Sequence, residues 1–295
     1  MSALAPAAAA RAIARPRAER TTAGAYLGPA ACLGVIAIMG APLVLSFLAS
    51  IKTSEDASAV PPHYLPGALS LENYLKVIDY EAGLANYVGN SALVALITIA
   101  ASIALAAPAG YGLARFTMRG KEIAFLILLA PIMIPYQAIL TPLYLDFAKV
   151  GLVNSRVGLA IVHTILQLPF SIYLMRNSFE GIPREIEEAA MIDGCSAWRR
   201  LTHIFLPLAV PALVTVALFA FINSWNEFLA ALIFMSRESS FTVPILLVSV
   251  RMGHHGAVDW GALQASIVIS IIPCLAVYLT LQRYYISGLL SGGVK

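Results

Sequence analysis

The side chains of this sequence that could do chemistry include amides, hydroxyls, the imidazole of His163 and the carboxylate of Glu227, set in or beside long apolar stretches. His163 and Gln167 are four residues apart, so they share one face of a helix. Such groups can bind a polar solute in a wet cavity. They can equally join helices through hydrogen bonds inside a membrane. The candidates for a solute path are Asn90, Tyr136, Gln137, His163, Gln167, Asn223, Trp225, Asn226 and Glu227.

A second group of polar residues lies in a charged segment, residues 183–194, between two apolar stretches. Pro183 suits the first position of a helix, because the N–H that proline lacks would be unpaired there. Gly194 suits the left-handed position just past a helix end. The segment is therefore predicted to form a helix of roughly three turns, which docks a partner or serves as a connector. The candidate docking residues are Glu188, Ala189, Ala190, Asp193 and Gly194.

The sequence offers no energy source of its own. A phosphate-binding loop reads Gly-x-x-x-x-Gly-Lys-Ser/Thr, yet Glu122 follows Gly120–Lys121 and Arg115 stands where the first glycine belongs. An ion-coupled carrier keeps an ionisable group within its spans, and His163 is the only candidate deep inside one. No nucleophile–base pair suggests hydrolysis. We therefore expect no catalytic residue and a power source outside the chain.

A metal site is not expected either. His254, His255 and Asp259 lie close together in the sequence and carry metal-binding atoms. They belong to a short polar stretch, however, which is more typical of a solvated loop than of ligands that converge on one ion.

Six long stretches without charged residues have to position these groups. Hydrophobic residues make up 59% of the chain and charged residues 12%, about half the charged share of a typical soluble protein. Each stretch is close to or above the ~20 residues that a helix needs to cross a bilayer. Because lipid offers no hydrogen-bond partners, these stretches are predicted to be helical. They cover residues 21–51, 82–114, 123–145, 157–175, 201–226 and 260–282.

The basic residues indicate the orientation. With six spans both termini lie on one side, and that side holds thirteen of the nineteen lysines and arginines. The positive-inside rule then predicts cytoplasmic N and C termini, and the basic residues form no nucleic-acid patch. The predicted divisions are a disordered cytoplasmic tail over 1–25, a first span with an outer, periplasmic segment over 26–85, a transmembrane domain over 86–282 and a cytoplasmic tail over 283–295.

Residues 228–250 are apolar but are interrupted by Arg237 and Glu238. Neither half is long enough to cross a membrane. A crossing by both halves together would move the C-terminal charges to the outer side. We therefore predict an outer loop that begins at the membrane interface.

The charged segment resembles the EAA loop of bacterial ABC importer permeases. Glu188-Ala189-Ala190 is followed by Gly194 and, after nine further residues, by Ile204-Phe205-Leu206-Pro207. This spacing is specific to that family of permeases, whichever solute they carry.

Two flanking segments narrow the resemblance to the carbohydrate-uptake branch. Trp225-Asn226-Glu227-Phe228 is similar to a segment of that branch, and residues 282–295 resemble its C-terminal tail. The resemblance covers about residues 60–295 and points to the MalG-like subunit of maltose-type importers.

The resemblance implies an all-α, six-helix permease of the type I ABC importer fold in the bacterial cytoplasmic (inner) membrane. Residues 183–194 would be the coupling helix, and ATP and Mg would be used by a separate ATPase. The chain itself would bind no cofactor and would not be an enzyme. Its implied partners are a second, different permease subunit, a homodimeric cytoplasmic ATPase, a periplasmic solute-binding protein and membrane lipid. The implied function is uptake of a sugar or sugar-like solute through a path of which this chain forms half.

Two other functions stay open at this point. An importer of a non-sugar solute fits the EAA loop alone, although the two flanking segments favour carbohydrate. An ion-coupled secondary carrier would have to use His163. The sequence does not identify the solute, because specificity in such systems lies largely in the binding protein.

Overall fold

The structure is a computed structural model that describes residues 24–252 and 258–292, with side chains over 28–252 and 258–282. Within these ranges the chain is helical and contains no strand. The helices are α1 Gly24–Ser50, α2 Ser54–Ala57, α3 Glu72–Ile78, α4 Leu84–Arg115, α5 Lys121–Leu129, α6 Tyr136–Lys149, α7 Arg156–Glu180, α8 Arg184–Ile192, α9 Ala197–Arg200, α10 Leu206–Leu208, α11 Val210–Asn226, α12 Leu229–Phe234, α13 Val243–Met252 and α14 Trp260–Gly292.

Some expectations fall on the remaining residues. Residues 1–23 of the predicted tail, His254, His255 and residues 293–295 lie outside the described part of the chain. The last two residues of the predicted N-terminal tail begin α1, and residues 283–292 of the predicted C-terminal tail continue α14.

The six apolar stretches all form helices, but two of them are sharply bent. The helices α1, α4, α7 and α14 are each long and apolar enough to cross a membrane. The third stretch divides into Lys121–Met133 and Tyr136–Lys149, which meet at 99°. The fifth divides into Ala197–Leu208 and Val210–Asn226, which meet at 79°. The described residues therefore contain four such helices, or up to six spans if each bent pair counts as one.

Prolines account for both bends. Pro131 and Pro135 flank the first break, where a 3₁₀ turn, Ala130–Met133, follows α5. Pro207 and Pro211 flank the second, where a π-helical turn, Leu201–Phe205, precedes α10. Proline removes a backbone donor and its ring clashes with the preceding turn, so a helix bends or ends there.

The chain divides by its internal contacts at Val44. In the first unit, the described side chains from Gly28 to Val44 are exposed, apart from a half-buried Gly40. The second unit, from Leu45 onward, contains three buried hydrophobic clusters. The buried side chains of these clusters include Tyr111, Phe179 and Phe205 in one, Leu140, Leu159 and Phe234 in another, and Val77, Tyr87 and Trp225 in the third.

The helices α4 and α7 approach one another closely. A Cβ atom on Gly110 of α4 would lie 2.8 Å from both the backbone nitrogen of Arg176 and the Cβ of Met175 on α7. Real Cβ atoms do not come so close to backbone, so the two helices could not keep this distance with any other residue at position 110.

Gly110→Ala is therefore expected to destabilise the chain, although alanine favours helix over glycine by about 1 kcal/mol. Forcing a methyl group into a packed interface costs about 1–3 kcal/mol. Gly112→Ala is the matched control, because its Cβ would meet no atom within 4 Å. Thermal unfolding in detergent should give a lower midpoint for Gly110→Ala than for the wild type. Equal midpoints for the two variants would contradict the close approach of α4 and α7.

Residues 228–252 form two short helices where the sequence suggested an outer loop. Ala230, Ala231 and Phe234 of α12 are buried in the cluster around Leu140 and Leu159. Residues of α13 such as Val243 and Leu246 are buried in the cluster around Trp225. The sequence pattern did not predict this burial, because the apolar side chains that cover α12 and α13 come from distant parts of the chain.

The segment that follows α1 contacts the start of α14 through α3. Asn73 of α3 is fully buried and donates to the backbone oxygens of Ser50 and Lys52 at 3.1 and 2.7 Å. Its Oδ1 is so close to Gly261 that a Cβ there would lie 2.3 Å away. Beside it, Lys76 Nζ lies 2.8 Å from Asp259 Oδ2.

Asp259 also precedes α14 and caps its first turn. Its Oδ1 accepts from the backbone N–H of Ala262 at 3.0 Å. Partial burial by itself would raise the pKa of the Asp259 carboxyl. The hydrogen bonds from Ala262 and Lys76 outweigh burial and hold the pKa below its ordinary value of 3.8.

This attachment is expected to weaken in acid. A lowered carboxyl pKa stabilises the folded state above the unfolded pKa, and that stability is lost as pH falls through the folded value. Thermal unfolding midpoints measured from pH 7 to pH 3 should therefore decrease once the pH is below about 4. In Asp259→Asn the midpoint should be lower at pH 7 and should fall less on acidification. Asp146→Asn, in an exposed pair with Lys149, is the control and should follow the wild type. A wild-type acid dependence in Asp259→Asn would contradict this role.

Candidate functional site

An open cavity of about 750 Å³ lies beside the first bend. Its walls are the turn around Pro131–Pro135, the start of α6, the middle of α7 and the end of α11. Two aromatic side chains, Phe170 and Phe219, meet edge to face in the wall, with their ring centroids 5.0 Å apart. The polar lining comes from Tyr136, Gln137, Gln167, Asn223 and Glu227.

Two amides form the centre of the polar wall. Asn223 Nδ2 of α11 donates to Gln167 Oε1 of α7 at 2.8 Å. Gln167 is buried, and its Nε2 donates in turn to Ser171 Oγ at 3.3 Å. Asn223 Oδ1 has no hydrogen-bond partner among the described residues. It can therefore accept a hydrogen bond from a hydroxyl group in the cavity.

A histidine, a serine and a glutamate adjoin these amides. His163 Nδ1 lies 2.8 Å from Ser224 Oγ. His163 Nε2 lies 3.5 Å from Glu227 Oε2, which is longer than an ordinary hydrogen bond. The same carboxylate accepts from the backbone N–H groups of Ala230 and Ala231 at 2.9 and 3.1 Å. Glu227 thus both lines the cavity and caps the first turn of α12.

A smaller cavity of about 70 Å³ lies next to the open one. His163, Gln167 and Glu227 line it together with Thr98 of α4. The polar groups therefore continue from the open cavity across α7 to α4. The arrangement offers hydrogen-bond donors and acceptors beside aromatic rings, which suits a neutral, hydroxylated solute.

Six of the nine candidate path residues line one of these cavities, and the other three have structural contacts. Asn90 is buried and donates to the backbone oxygens of Ser239 and Phe241. Trp225 is buried, and its Nε1 donates to Ser270 O at 3.1 Å. Asn226 is exposed and bonds to its own helix. A helix turns about 100° per residue, so Asn223 and Trp225 lie on opposite sides of α11. Asn90, Trp225 and Asn226 line neither of these two cavities, and their place in a solute path stays a prediction.

The charged segment forms α8, Arg184–Ile192, with the predicted termini shifted by one or two residues. Pro183 immediately precedes the helix instead of occupying its first turn. Gly194 has φ +74° and donates to Met191 O at 3.0 Å. The next N–H, of Cys195, donates to Ala190 O at 2.9 Å. This pair of bonds is a Schellman motif, which requires the left-handed residue that glycine provides.

Four of the five candidate docking residues are exposed. Glu188, Ala189, Asp193 and Gly194 are exposed, whereas Ala190 is buried. Glu188 also lines an open cavity of about 490 Å³ with Arg115 and Arg200. An exposed helical surface with its own start and stop signals suits contact with another protein.

Glu187 is a residue that the sequence analysis did not single out. It is only 8% exposed, and its Oε1 accepts from the hydroxyl of Tyr111 at 3.0 Å. Arg200 Nε lies 3.3 Å from Glu187 Oε1, and Arg115 Nε lies 3.8 Å from Oε2. Glu187 lies three residues before Ala190, so the two share one face of α8, and this spacing is the local signal that could have indicated it.

The two arginines connect Glu187 to other elements. Arg115 donates to the backbone oxygens of Phe179 and Ile182, and its guanidinium lies over the Phe205 ring, 4.8 Å from the centroid. Arg200 donates to Cys195 O at 2.8 Å. We call Glu187, Tyr111, Arg115 and Arg200 the Glu187 cluster.

Comparison with known proteins identifies a family whose model matches this chain. Residues 102–290 match the family model described as "Binding-protein-dependent transport system inner membrane component". This range covers well over half of the chain and contains both the cavity and α8.

Similar proteins match over most of their length. The "Probable ABC transporter permease protein YurM" of Bacillus subtilis (strain 168) is 34% identical over 86% of this chain and 83% of that protein. The "Sulfoquinovosyl glycerol transport system permease protein SmoH" of Agrobacterium fabrum is 32% identical, with 86% and 88% covered. The "Trehalose/maltose transport system permease protein MalG" of Thermococcus litoralis is 32% identical, with 83% and 88% covered.

A solved structure has a similar fold. It belongs to a bacterial ABC transporter involved in the import of the acidic polysaccharide alginate. The TM-score is 0.77 at 24% sequence identity, and the match covers 92% of this chain and all of that one.

Proposed function

Because the chain belongs to the family of binding-protein-dependent transport system inner membrane components, we propose that it is the permease subunit of an ATP-driven importer of a sugar or sugar-like solute. The observation within the chain that carries this proposal is the open cavity of about 750 Å³, where amides and aromatic rings stand together beside α7 and α11. Hydroxylated solutes are recognised by that combination of groups.

The solute class is supported by the relatives as well as by the cavity. The names of two of them refer to trehalose, maltose and sulfoquinovosyl glycerol. The polar lining of the cavity contains four uncharged side chains and a single carboxylate, that of Glu227. Such a wall suits neutral hydroxyl groups better than anions.

The proposed topology has six spans, in which each bent pair crosses the membrane once and both termini face the cytoplasm. The exposed side of α8 then meets a separate, homodimeric ATPase, which uses ATP and Mg. A second, different permease subunit completes the path, and a periplasmic binding protein delivers the solute at the inner membrane of a bacterium. ATP binding shifts the two permeases between inward- and outward-open states, and the difference in binding energy between those states drives the change.

The test is purification of the tagged chain from its native host in a mild detergent, followed by mass spectrometry. We expect a second permease and an ATPase to copurify. The reconstituted complex, with its binding protein, should take up radiolabelled sugar only into vesicles loaded with ATP, and a protonophore should not stop that uptake.

Two outcomes would overturn the proposal. Recovery of the chain alone, under conditions that keep other membrane complexes intact, would contradict the need for an ATPase. Uptake that collapses with the ion gradient and ignores ATP would support a secondary carrier instead.

A further inference from the structure

Two adjacent glutamates of α8 have opposite surroundings. Glu187 is 8% exposed and lies within 4 Å of two arginine side chains. Glu188 is exposed, and within the described residues its side chain has neither an ion pair nor a hydrogen bond. Glu187 is therefore held by the chain itself, whereas Glu188, which lines the same open cavity of about 490 Å³, is accessible to a partner.

The shape of α8 does not depend on Glu187. Its C-terminal end is closed by the Schellman bonds at Gly194 and Cys195, and Pro183 precedes its first turn. Both signals are local, so the helix would form without the Glu187 cluster. The contacts of Glu187 are instead with residues that are distant in the sequence, which makes them an attachment of α8 to the rest of the permease.

The attachment reaches two elements that lead towards the cavity. Tyr111 and Arg115 lie in the last two turns of α4, which packs along α7 through Gly110. Arg200 ends α9, directly before the π-helical turn Leu201–Phe205 and the second bend. Beyond that bend, α11 carries Asn223, and Glu227 follows it.

We propose that Glu187 is the positioning residue through which a movement of α8 is passed to α4 and to the bend before α11. The inference rests on the proposed function, since it takes α8 as the helix that the ATPase moves. A buried carboxylate that loses its arginine partners is strongly destabilised, so the cluster resists separation. The cluster therefore moves as one body, whereas without it the connections at either end of α8 would absorb the movement.

The test compares Glu187→Gln with Glu188→Gln in the complete complex of both permeases, ATPase and binding protein in lipid vesicles. Glutamine has the size of glutamate and can still accept from Tyr111, but it lacks the charge that holds Arg115 and Arg200. We expect Glu187→Gln to keep the ATPase bound and hydrolysing ATP, while solute taken up per ATP falls by roughly an order of magnitude. Glu188→Gln should instead reduce the amount of ATPase recovered with the permease.

Conservative variants separate transmission from a merely structural role. Glu187→Asp keeps the charge and should recover part of the uptake per ATP that Glu187→Gln loses. Tyr111→Phe removes one hydrogen bond of the same cluster and should lower uptake per ATP less than Glu187→Gln does. In the double variant with Glu187→Gln, Tyr111→Phe should cause almost no further loss of uptake per ATP, because the two residues act in one network.

Two results would overturn the inference. One is normal uptake per ATP in Glu187→Gln. The other is a parallel loss of hydrolysis and uptake in both glutamine variants. If Glu187→Gln cannot be recovered as a complex, Tyr111→Phe decides the question: an unchanged ratio of uptake to hydrolysis in that variant would equally contradict the inference. A wild-type complex without ATP-dependent uptake would contradict the proposed function instead, whatever the variants do.

Discussion

Asn223→Leu is expected to lower sugar uptake at saturating ATP by about tenfold or more while the complex stays assembled. Leucine is similar in size to asparagine but cannot donate to Gln167 Oε1, which the wild-type side chain reaches at 2.8 Å. Gln167 is buried, and a buried polar group left without its partner is destabilised by about 1–3 kcal/mol. If the solute-binding state of the path loses that much free energy, uptake falls by roughly 5- to 150-fold. The wall of the cavity would also lose the acceptor that Asn223 presents to a solute. Uptake of radiolabelled sugar into vesicles, with ATP hydrolysis recorded in parallel, measures the effect.

Asn226→Leu is the matched control. It makes the same chemical change three residues further along, at a residue that is also exposed but lines neither cavity, and whose side chain donates to Ile222 O of its own helix. Uptake in this variant should stay near the wild-type level. A loss of uptake in Asn226→Leu that equals the loss in Asn223→Leu would mean that the path does not run through this cavity.

Gly194→Val is expected to abolish uptake by removing the ATPase from the complex. Gly194 has φ +74°, a backbone conformation that a β-branched residue adopts only at a cost of at least about 1–2 kcal/mol. The Schellman bonds at the end of α8 would break, and with them the arrangement of the exposed docking residues. The tagged chain should still be found in the membrane fraction, but the amount of copurifying ATPase should fall several-fold.

Gly120→Val serves as the control for backbone strain. Gly120 has φ +76°, and, as at Gly194, a Cβ there would meet no atom within 4 Å. It precedes α5 and lies outside α8, so its substitution should cost similar stability and leave the ATPase bound. Equal loss of ATPase in both variants would show that the effect comes from general destabilisation and not from α8.

Local signals were sufficient to predict α8 from the sequence. A proline before the helix and a glycine after it are read within a dozen residues, and the helix from Arg184 to Ile192 is confirmed. The four unbroken apolar helices were predictable for the same reason, since hydropathy over a window of about 20 residues needs no tertiary information. The role of α8 in docking stays a prediction.

Burial within those helices was less predictable. Glu187 and Glu188 are chemically identical in the sequence, and the arginines that bury one of them lie 72 positions before it, at Arg115, and 13 after it, at Arg200. The stripe of His163 and Gln167 on one face of α7 did follow from helical periodicity, and both residues are buried. The same periodicity, applied to α11, would have separated Asn223 from Trp225.

The sequence indicates where the helices bend but not by what angle. Prolines in the third and fifth stretches are typical of a kink, but a kink of about 20° and a bend of 99° have the same sequence signature. The angle depends on what fills the space beside the break. At Pro131–Pro135 that space is the cavity, so the feature that matters most for the site was the least predictable from sequence.

The first bend also has a consequence for how the chain enters the bilayer. Insertion machinery admits a segment by its hydrophobicity over about 20 residues, and each half of the bent pair is shorter than that. At 1.5 Å per residue, neither Lys121–Met133 nor Tyr136–Lys149 covers the ~30 Å of hydrocarbon. If the pair crosses once, it therefore enters as one continuous stretch and bends afterwards, when α7 and α11 can shield the polar backbone freed at Pro135. Insertion then follows a fixed order, in which α7 and α11, which are synthesised later, pack around the bend between α5 and α6.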